Sequence, residues 1–223
     1  MPGLLGMFVK QPVPGKVKTR LGADIGNDTS AELYSAFVRD LVDRYAHVGR
    51  RRVLAYSPAA AEEWARETVG AQFEIWSQPD ADLGSRIQDF FDHAFSLGVR
   101  RVVLVGSDSP NLPASYVEQA FELLDEMDVV VGPASDGGFY LIGQREESRN
   151  LFAHIEWSSP RVFEQTLRSA RQLSAKVALL PVWYDIDTID DARMMWSHLQ
   201  AATDAGDECL CPHSLAVLNR MFS

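Results

Sequence analysis

The sequence predicts a layered α/β protein built as one domain. Three observations carry this. Seven short apolar runs punctuate the chain, amphipathic helical patterns lie between most of them, and no repeat, low-complexity tract or Pro/Gly/Ser-rich linker divides the 223 residues. That length is enough for a single well-buried core.

The apolar runs cover residues 4–9, 52–56, 73–76, 102–106, 129–132, 139–143 and 177–180. Residues 102–105 and 129–131 are continuously apolar and rich in valine, as expected for central strands covered on both faces. A first helix is expected near Thr29, where Thr29 and Glu32 have capping-box spacing and Leu33, Phe37, Leu41 and Tyr45 then share one face. Ile87, Phe90, Phe91 and Ala94 mark a second helix. Val117, Ala120, Phe121 and Leu124 mark a third, entered through Pro113 and Ser115. Val162, Phe163, Thr166, Leu167 and Ala170 mark a fourth, and Ala192, Met195, Trp196 and Leu199 a fifth. These stripes of aromatics and methionines read as core. Residues 203–208 form a polar turn before a short C-terminal helix, so 203–223 is expected to extend the single 1–223 domain.

The formal charge of -10 argues against a broad nucleic-acid interface, which needs an extended positive surface. It leaves room for one small anionic ligand. No apolar run is long enough to span a bilayer, and no signal-like N-terminus is evident, so a cytoplasmic protein is expected. Cys209, Cys211 and His213 invite a zinc reading, but the spacing matches no common zinc pattern and no fourth ligand is evident. They are expected to bind no metal. Five tryptophans and the apolar residues 215–221 permit a homodimer without requiring one.

The most informative stretch follows the first apolar run. Residues 1–23 contain Lys10, Lys16, Lys18 and Arg20 and no acid, within a chain that is strongly acidic overall. Cations gathered where a strand ends suggest an anion site, and phosphate suits the Arg fork and the Lys point charge. A solvated basic loop is the plainer reading. Against it, Pro12 and Pro14 stiffen the backbone and Gly15 permits close approach of a ligand. The glycine spacing of a P-loop is missing.

Carboxylates fall at other strand ends. Asp108 follows the most apolar run, flanked by Gly106, Ser107, Ser109 and Pro110, and is not needed as a helix cap. Asp185 and Asp187 share one side of an extended segment before Thr188, with Asp187 the better ligand candidate. Asp190 and Asp191 read as ordinary first-turn acids of a helix. Two such carboxylates suit Mg²⁺ or Mn²⁺ completed by water and phosphate oxygens. Asp136, before Gly137 and Gly138, reads either as a plain hairpin turn or, from its place among strand-end loops, as a catalytic or acceptor-binding group.

Five motifs occur in order: Lys10-x-Pro-x-Pro-Gly-x-Val-Lys-Thr-Arg-Leu21, Asp82-Leu-Gly-Ser-Arg86, Gly106-Ser-Asp-Ser-Pro110, Gly132-Pro-Ala-Ser-Asp-Gly-Gly138 and Asp185-Ile-Asp-Thr188. Together, over residues 4–200, they resemble the selenodomain-associated transferase family, a domain of unknown function. That family lies in the nucleotide-diphospho-sugar transferase superfamily, whose fold is of the GT-A glycosyltransferase type. The resemblance implies a mixed, mostly parallel sheet in one Rossmann-like arrangement. It places Asp108 and Asp187 at a metal and Lys18 and Arg20 at phosphates, and the loop's own charge adds Lys10 and Lys16 to the expected nucleotide contacts. The resemblance places Asp82, Gly84 and Arg86 where relatives meet base or ribose, although this segment also reads as a helix N-terminus.

The expected activity is metal-dependent glycosyl transfer from a nucleotide-diphospho-sugar. Lys18 would act on the diphosphate, Asp136 as base or acceptor-orienting group, and Tyr140 and Trp157 as possible acceptor walls, with core packing the alternative for Trp157. The alternatives are a guanylyltransferase-like nucleotidyltransferase using a nucleoside triphosphate and a small phosphorylated or carboxylated acceptor, and a non-catalytic nucleotide-binding accessory protein.

Overall fold

The computed structural model of the chain describes residues 3–206 and 211–223. All seven expected strands form: β1 (Leu4–Lys10), β2 (Arg51–Ser57), β3 (Glu74–Ser77), β4 (Arg101–Val105), β5 (Val129–Pro133), β6 (Phe139–Arg145) and β7 (Val177–Leu179). They make one sheet in the order β3-β2-β1-β4-β6-β5-β7. Neighbours pair in parallel except β6, which runs antiparallel to both β4 and β5. The sheet is therefore mixed and mostly parallel. Because β2 and β4 flank β1 on opposite sides, the chain reverses its direction of growth there, and a crevice opens beyond the carboxyl ends of β1 and β4.

Helices cover both faces. One side carries α2 (Asn27–Tyr45), α3 (Glu62–Val69), α5 (Ala114–Leu123), α7 (Ile189–Asp204) and α8 (Pro212–Phe222), packed through Leu33, Phe37, Leu41, Tyr45 and Met195 against Leu5, Met7 and Val103. On the other side α4 (Leu83–Ser96) and α6 (Val162–Gln172) pack Ile87, Phe90, Phe91, Phe163 and Leu167 against Leu4, Val102 and Val131. Fully burying one such large side chain contributes roughly 1.5–3 kcal/mol.

Three local readings change. The capping box expected at Thr29 is not a helix start: α2 begins at Asn27 and Thr29 lies within its first turn. A further helix, α1 (Thr19–Ile25), precedes it, and Gly26 at φ +86° breaks the two apart, so no side-chain cap is used. The box occurs instead at Thr188 and Asp191, opening α7. The helix α3 was not legible because its inward face is small, Ala65 and Val69. Tyr140 is not an acceptor wall: it is buried on β6 and donates its hydroxyl to the Pro181 carbonyl at 2.8 Å.

Cys211 is buried against the Pro110 carbonyl, its Sγ 3.3 Å away, and Cys209 lies outside the described residues. Among the described residues no helix is long and apolar enough to cross a membrane.

Candidate functional site

The loop after β1 is shaped by its own backbone. Val13 N donates to Gln11 O and Lys16 N to Val13 O, while Val17 and Leu21 plug the core on either side of the basic residues. Lys18 itself takes a left-handed backbone (φ 45°, ψ 47°) immediately before α1. A left-handed residue other than glycine costs about 1–2 kcal/mol, so something must hold it there.

That something is a pair of carboxylates. The Lys18 side chain is only 4% exposed, and its ammonium touches both Asp108 and Asp187, the latter at 2.9 Å. Arg20, on the exposed face of α1, contacts the other oxygen of Asp187. Burial alone would lower the Lys18 pKa, but the charges of Asp108 and Asp187 outweigh it and the ammonium is held protonated. Asp187 shows the mirror effect: burial pushes its carboxyl up, and Lys18 and Arg20 bring it below the usual carboxylate range.

The two acids converge on Lys18 because their segments are stitched together. Ile186 N donates to Asp108 O at 2.9 Å, and Ser109 Oγ donates to Tyr184 O and to Asp185 Oδ1 at 2.9 and 2.6 Å. Asp187 N and Thr188 N donate to the capping carboxylate of Asp191. Tyr34, on α2, ties the first loop to the second: its hydroxyl accepts from Lys10 N and bonds Ser107 Oγ. Burial, with the Asp108 charge beside it, pushes the Tyr34 phenol up to about 12. Tyr34 was not singled out from the sequence, since one tyrosine on an apolar face reads as core.

Two cavities adjoin this knot. The first, about 390 Å³, is cationic and lined by Lys10, Lys16, Lys18, Arg20, Arg86 and Tyr34. It runs on, past Phe8, Gln78 and Arg86, into a slot of about 350 Å³ walled in part by Trp76 and Phe90, whose rings pack on each other with centroids 5.3 Å apart. The second chamber, about 710 Å³, is acidic: Asp108, Asp136, Asp185 and Asp187 line it, with Phe139 and Trp157 as aromatic wall. Arg20, Leu83, Asp108 and Asp187 line both the first cavity and this chamber.

Asp185 was weighed in the sequence only as the weaker partner of Asp187. It is half-buried, and burial, reinforced by the charges of Asp108 and Asp136 and opposed by the Ser109 hydrogen bond, pushes its carboxyl up to about 6. Asp136 sits on an exposed turn whose form is fixed by Gly138 N donating to Asp136 Oδ1 at 2.8 Å. Gly137 is required there: its φ is +92°, and a Cβ would lie 2.2 Å from the Pro160 carbonyl oxygen. The 157–160 loop is thereby clamped over the turn.

The remaining expected residues divide. Arg86 reaches the cationic cavity while donating to Ala81 O at 2.7 Å. Asp82 caps α4 by accepting from Ser85 N and Oγ, and its carboxyl pKa is lowered by those bonds. Gly84 is buried two positions on, where a Cβ would lie 2.9 Å from Trp157 Nε1, so its role is to admit the indole. Asp82 and Gly84 line a separate cavity with Trp157 and His154, outside the cationic one.

Asp108 and Asp187 fit a hard divalent cation: both offer carboxylate oxygens, with side chains 51% and 34% exposed. Among the described residues no group of three or more His, Cys, Asp or Glu side chains forms a cage. Such an ion would therefore need phosphate oxygens and water to complete its shell, the usual pattern for Mg²⁺.

Comparison with known proteins agrees with the architecture. A structure from Desulfovibrio desulfuricans G20, described as a "putative nucleotide-diphospho-sugar transferase", is 35% identical, with a TM-score of 0.88 over 99% of this chain and 98% of that one. A cytidylyltransferase from Leptospira borgpetersenii serovar Hardjo-bovis shares the fold at 14% identity (TM-score 0.57, 90% and 87% of the two chains). So does the 4-diphosphocytidyl-2C-methyl-D-erythritol synthase of Anaerococcus prevotii, at 10% identity (TM-score 0.58, 89% and 99%). No curated protein matches. Residues 41–159 match the family described as "Uncharacterized protein conserved in bacteria (DUF2064)". The chain thus belongs to that family and has the nucleotide-diphospho-sugar transferase fold.

Proposed function

We propose that the protein transfers a sugar from a nucleotide-diphospho-sugar to a hydroxyl-bearing acceptor. The observation that carries this is the Lys18–Asp108–Asp187 knot, standing between a cationic cavity and an acidic chamber at the carboxyl ends of β1 and β4. The 35% identical relative described as a "putative nucleotide-diphospho-sugar transferase" supports the donor class.

In this reading the donor's diphosphate lies in the cationic cavity against Lys10, Lys16, Lys18 and Arg20, and its base occupies the slot beside Phe8, Trp76 and Phe90. Arg86, shared by both cavities, spans the two. The sugar then faces the acidic chamber. An acceptor hydroxyl oxygen forms a bond to the anomeric carbon as the bond from that carbon to the diphosphate oxygen breaks. The electron pair leaves with the nucleoside diphosphate, and the acceptor proton passes to the Asp136 carboxylate. Lys18 and Arg20, fixed beforehand by their carboxylate partners, stabilise the charge that accumulates on the leaving diphosphate. Mg²⁺ or Mn²⁺ held by Asp108 and Asp187 would add Lewis-acid stabilisation of that same charge.

The test is product analysis. The protein is incubated with Mg²⁺ or Mn²⁺, a mixed acceptor panel, and either nucleotide sugars or nucleoside triphosphates, and products are read by mass spectrometry. Free nucleoside diphosphate accompanied by a glycosylated product is expected. Pyrophosphate release would replace this reading with nucleotidyl transfer, and binding without turnover in either panel would replace it with an accessory role.

A further inference from the structure

We infer that the acceptor is a neutral or cationic polyol or sugar, and that phosphorylated and carboxylated acceptors are excluded by the acidic chamber. The inference rests on the reading that the cationic cavity holds the donor. Four carboxylates line the chamber, from Asp108, Asp136, Asp185 and Asp187, and its one lining cation, Arg20, is already engaged by Asp187. Bringing in the donor does not relieve this, because a metal ion's two positive charges are matched by the diphosphate it accompanies. A second anionic group placed near Asp136 and Asp185 would lie unpaired beside like charges. Each such encounter, partly screened, costs roughly tenfold in affinity.

The rest of the wall suits a sugar. Phe139 and Trp157 meet at an interplanar angle of 75° with centroids 6.3 Å apart, forming an aromatic corner on the chamber wall. An aromatic corner accepts the C–H face of a polyol ring, while carboxylates lining the same chamber accept its hydroxyl hydrogens or an amine's N–H. The corner is also costly to build. It relies on Gly84 to admit the indole, and the following Ser158 is held at φ +62°. Ser158 and Ser159 add further hydroxyls to the lining.

The experiment uses the whole chain labelled with 5-fluorotryptophan, the Trp157 resonance being assigned by its loss in Trp157→Phe. Matched triplets built on glucose and glycerol (alcohol, amine and phosphate ester) are titrated with inorganic pyrophosphate saturating the cationic cavity. At least one alcohol or amine is expected to shift the Trp157 resonance saturably, with its phosphate ester binding tenfold or more weakly. In Asp136→Asn that gap should narrow to less than threefold. A phosphate ester binding as tightly as its alcohol in the wild-type chain would overturn the inference, and so would a panel that leaves the Trp157 resonance unmoved. A parallel titration with nucleoside diphosphates, without pyrophosphate, reads the cationic cavity alone: failure there, with the acceptor preference intact, would remove the donor reading instead.

Discussion

Lys18 Nζ donates to Asp187 Oδ1 at 2.9 Å, a contact joining residues 169 positions apart in the chain. With Asp108 on its other side, the ammonium occupies the ground between two carboxylates that a divalent ion would otherwise share. The protein thus supplies its own cation here, and under the proposed function a metal ion would have to compete with it.

Lys18→Met should therefore act in opposite directions on two ligands. Nucleoside diphosphate affinity should fall roughly tenfold to a hundredfold, the worth of one charged hydrogen-bond set. Mn²⁺ affinity of the nucleotide-free protein should rise. Calorimetric titration measures both, and an unchanged Mn²⁺ affinity would remove the competition.

Asp108→Asn should weaken metal-dependent nucleotide binding and leave the melting temperature nearly unchanged. Its side chain is half exposed, and Asp187 still partners Lys18. Nucleotide titrations with and without Mg²⁺ decide: if the metal's contribution survives the substitution, Asp108 is not a ligand.

Asp185 and Asp187 predict opposite pH dependences of stability. Asp185 has a folded pKa of about 6, above its unfolded value of about 3.9, so the folded chain binds more protons between these limits and stability falls as pH rises from 4 to 6. Allowing for solvent screening, the fall is on the order of 1–2 kcal/mol. Asp187 is shifted down, so its contribution is complete above about pH 4 and is lost only as the pH drops further. Urea melts from pH 3 to 7 should show the fall between pH 4 and 6 flattened in Asp185→Asn, which can still accept from Ser109. An identical profile in wild type and variant would refute the assignment.

Asp40 supports the C-terminal helix from beneath. It is 1% exposed and accepts from His213 N at 3.0 Å, from Ser214 N at 2.8 Å and from Ser214 Oγ. Asp40→Ala strips these donors of their acceptor at the first turn of α8 and should cost about 2–3 kcal/mol. Thermal melts check the loss, and amide exchange should locate it in residues 211–223 before the sheet.

Gly137→Ala tests the clamp between the Asp136 turn and the 157–160 loop. A Cβ there collides with backbone and meets a positive φ, so a loss of at least about 1–2 kcal/mol is expected, together with a shift of the Trp157 signal. A stable variant with unmoved Trp157 would show the turn and loop to be independent.

Much of this was legible in the sequence, for identifiable reasons. Unbroken valine runs such as residues 102–105 can be little else than buried strands, and the cations of residues 10–20 stand out against an acidic chain. Sequence spacing could not show that Asp108 and Asp187 share the Lys18 ammonium, because their approach depends on Ser109 and Ile186 stitching two distant segments. Trp157 reads from the sequence as either core or acceptor wall; in the structure it packs on Phe152 and Phe139 and also lines the acidic chamber. Asp82 looked like a ligand by its motif, yet it bonds Ser85 as a helix cap, the role its position before Leu83 had equally allowed.

The reversed direction of β6 has an evolutionary consequence. Because β5 ends and β6 begins at one rim, the residues connecting them number only five, 134–138, and no crossover helix is tied to them. Under the proposed function, that short connector and the 157–160 segment packed on it could change without disturbing the cationic cavity or the hydrophobic interior. If the acceptor lies in the acidic chamber as proposed, exchanging just these two pieces between the present chain and the similar Desulfovibrio protein is a small graft that should alter which acceptors bind there.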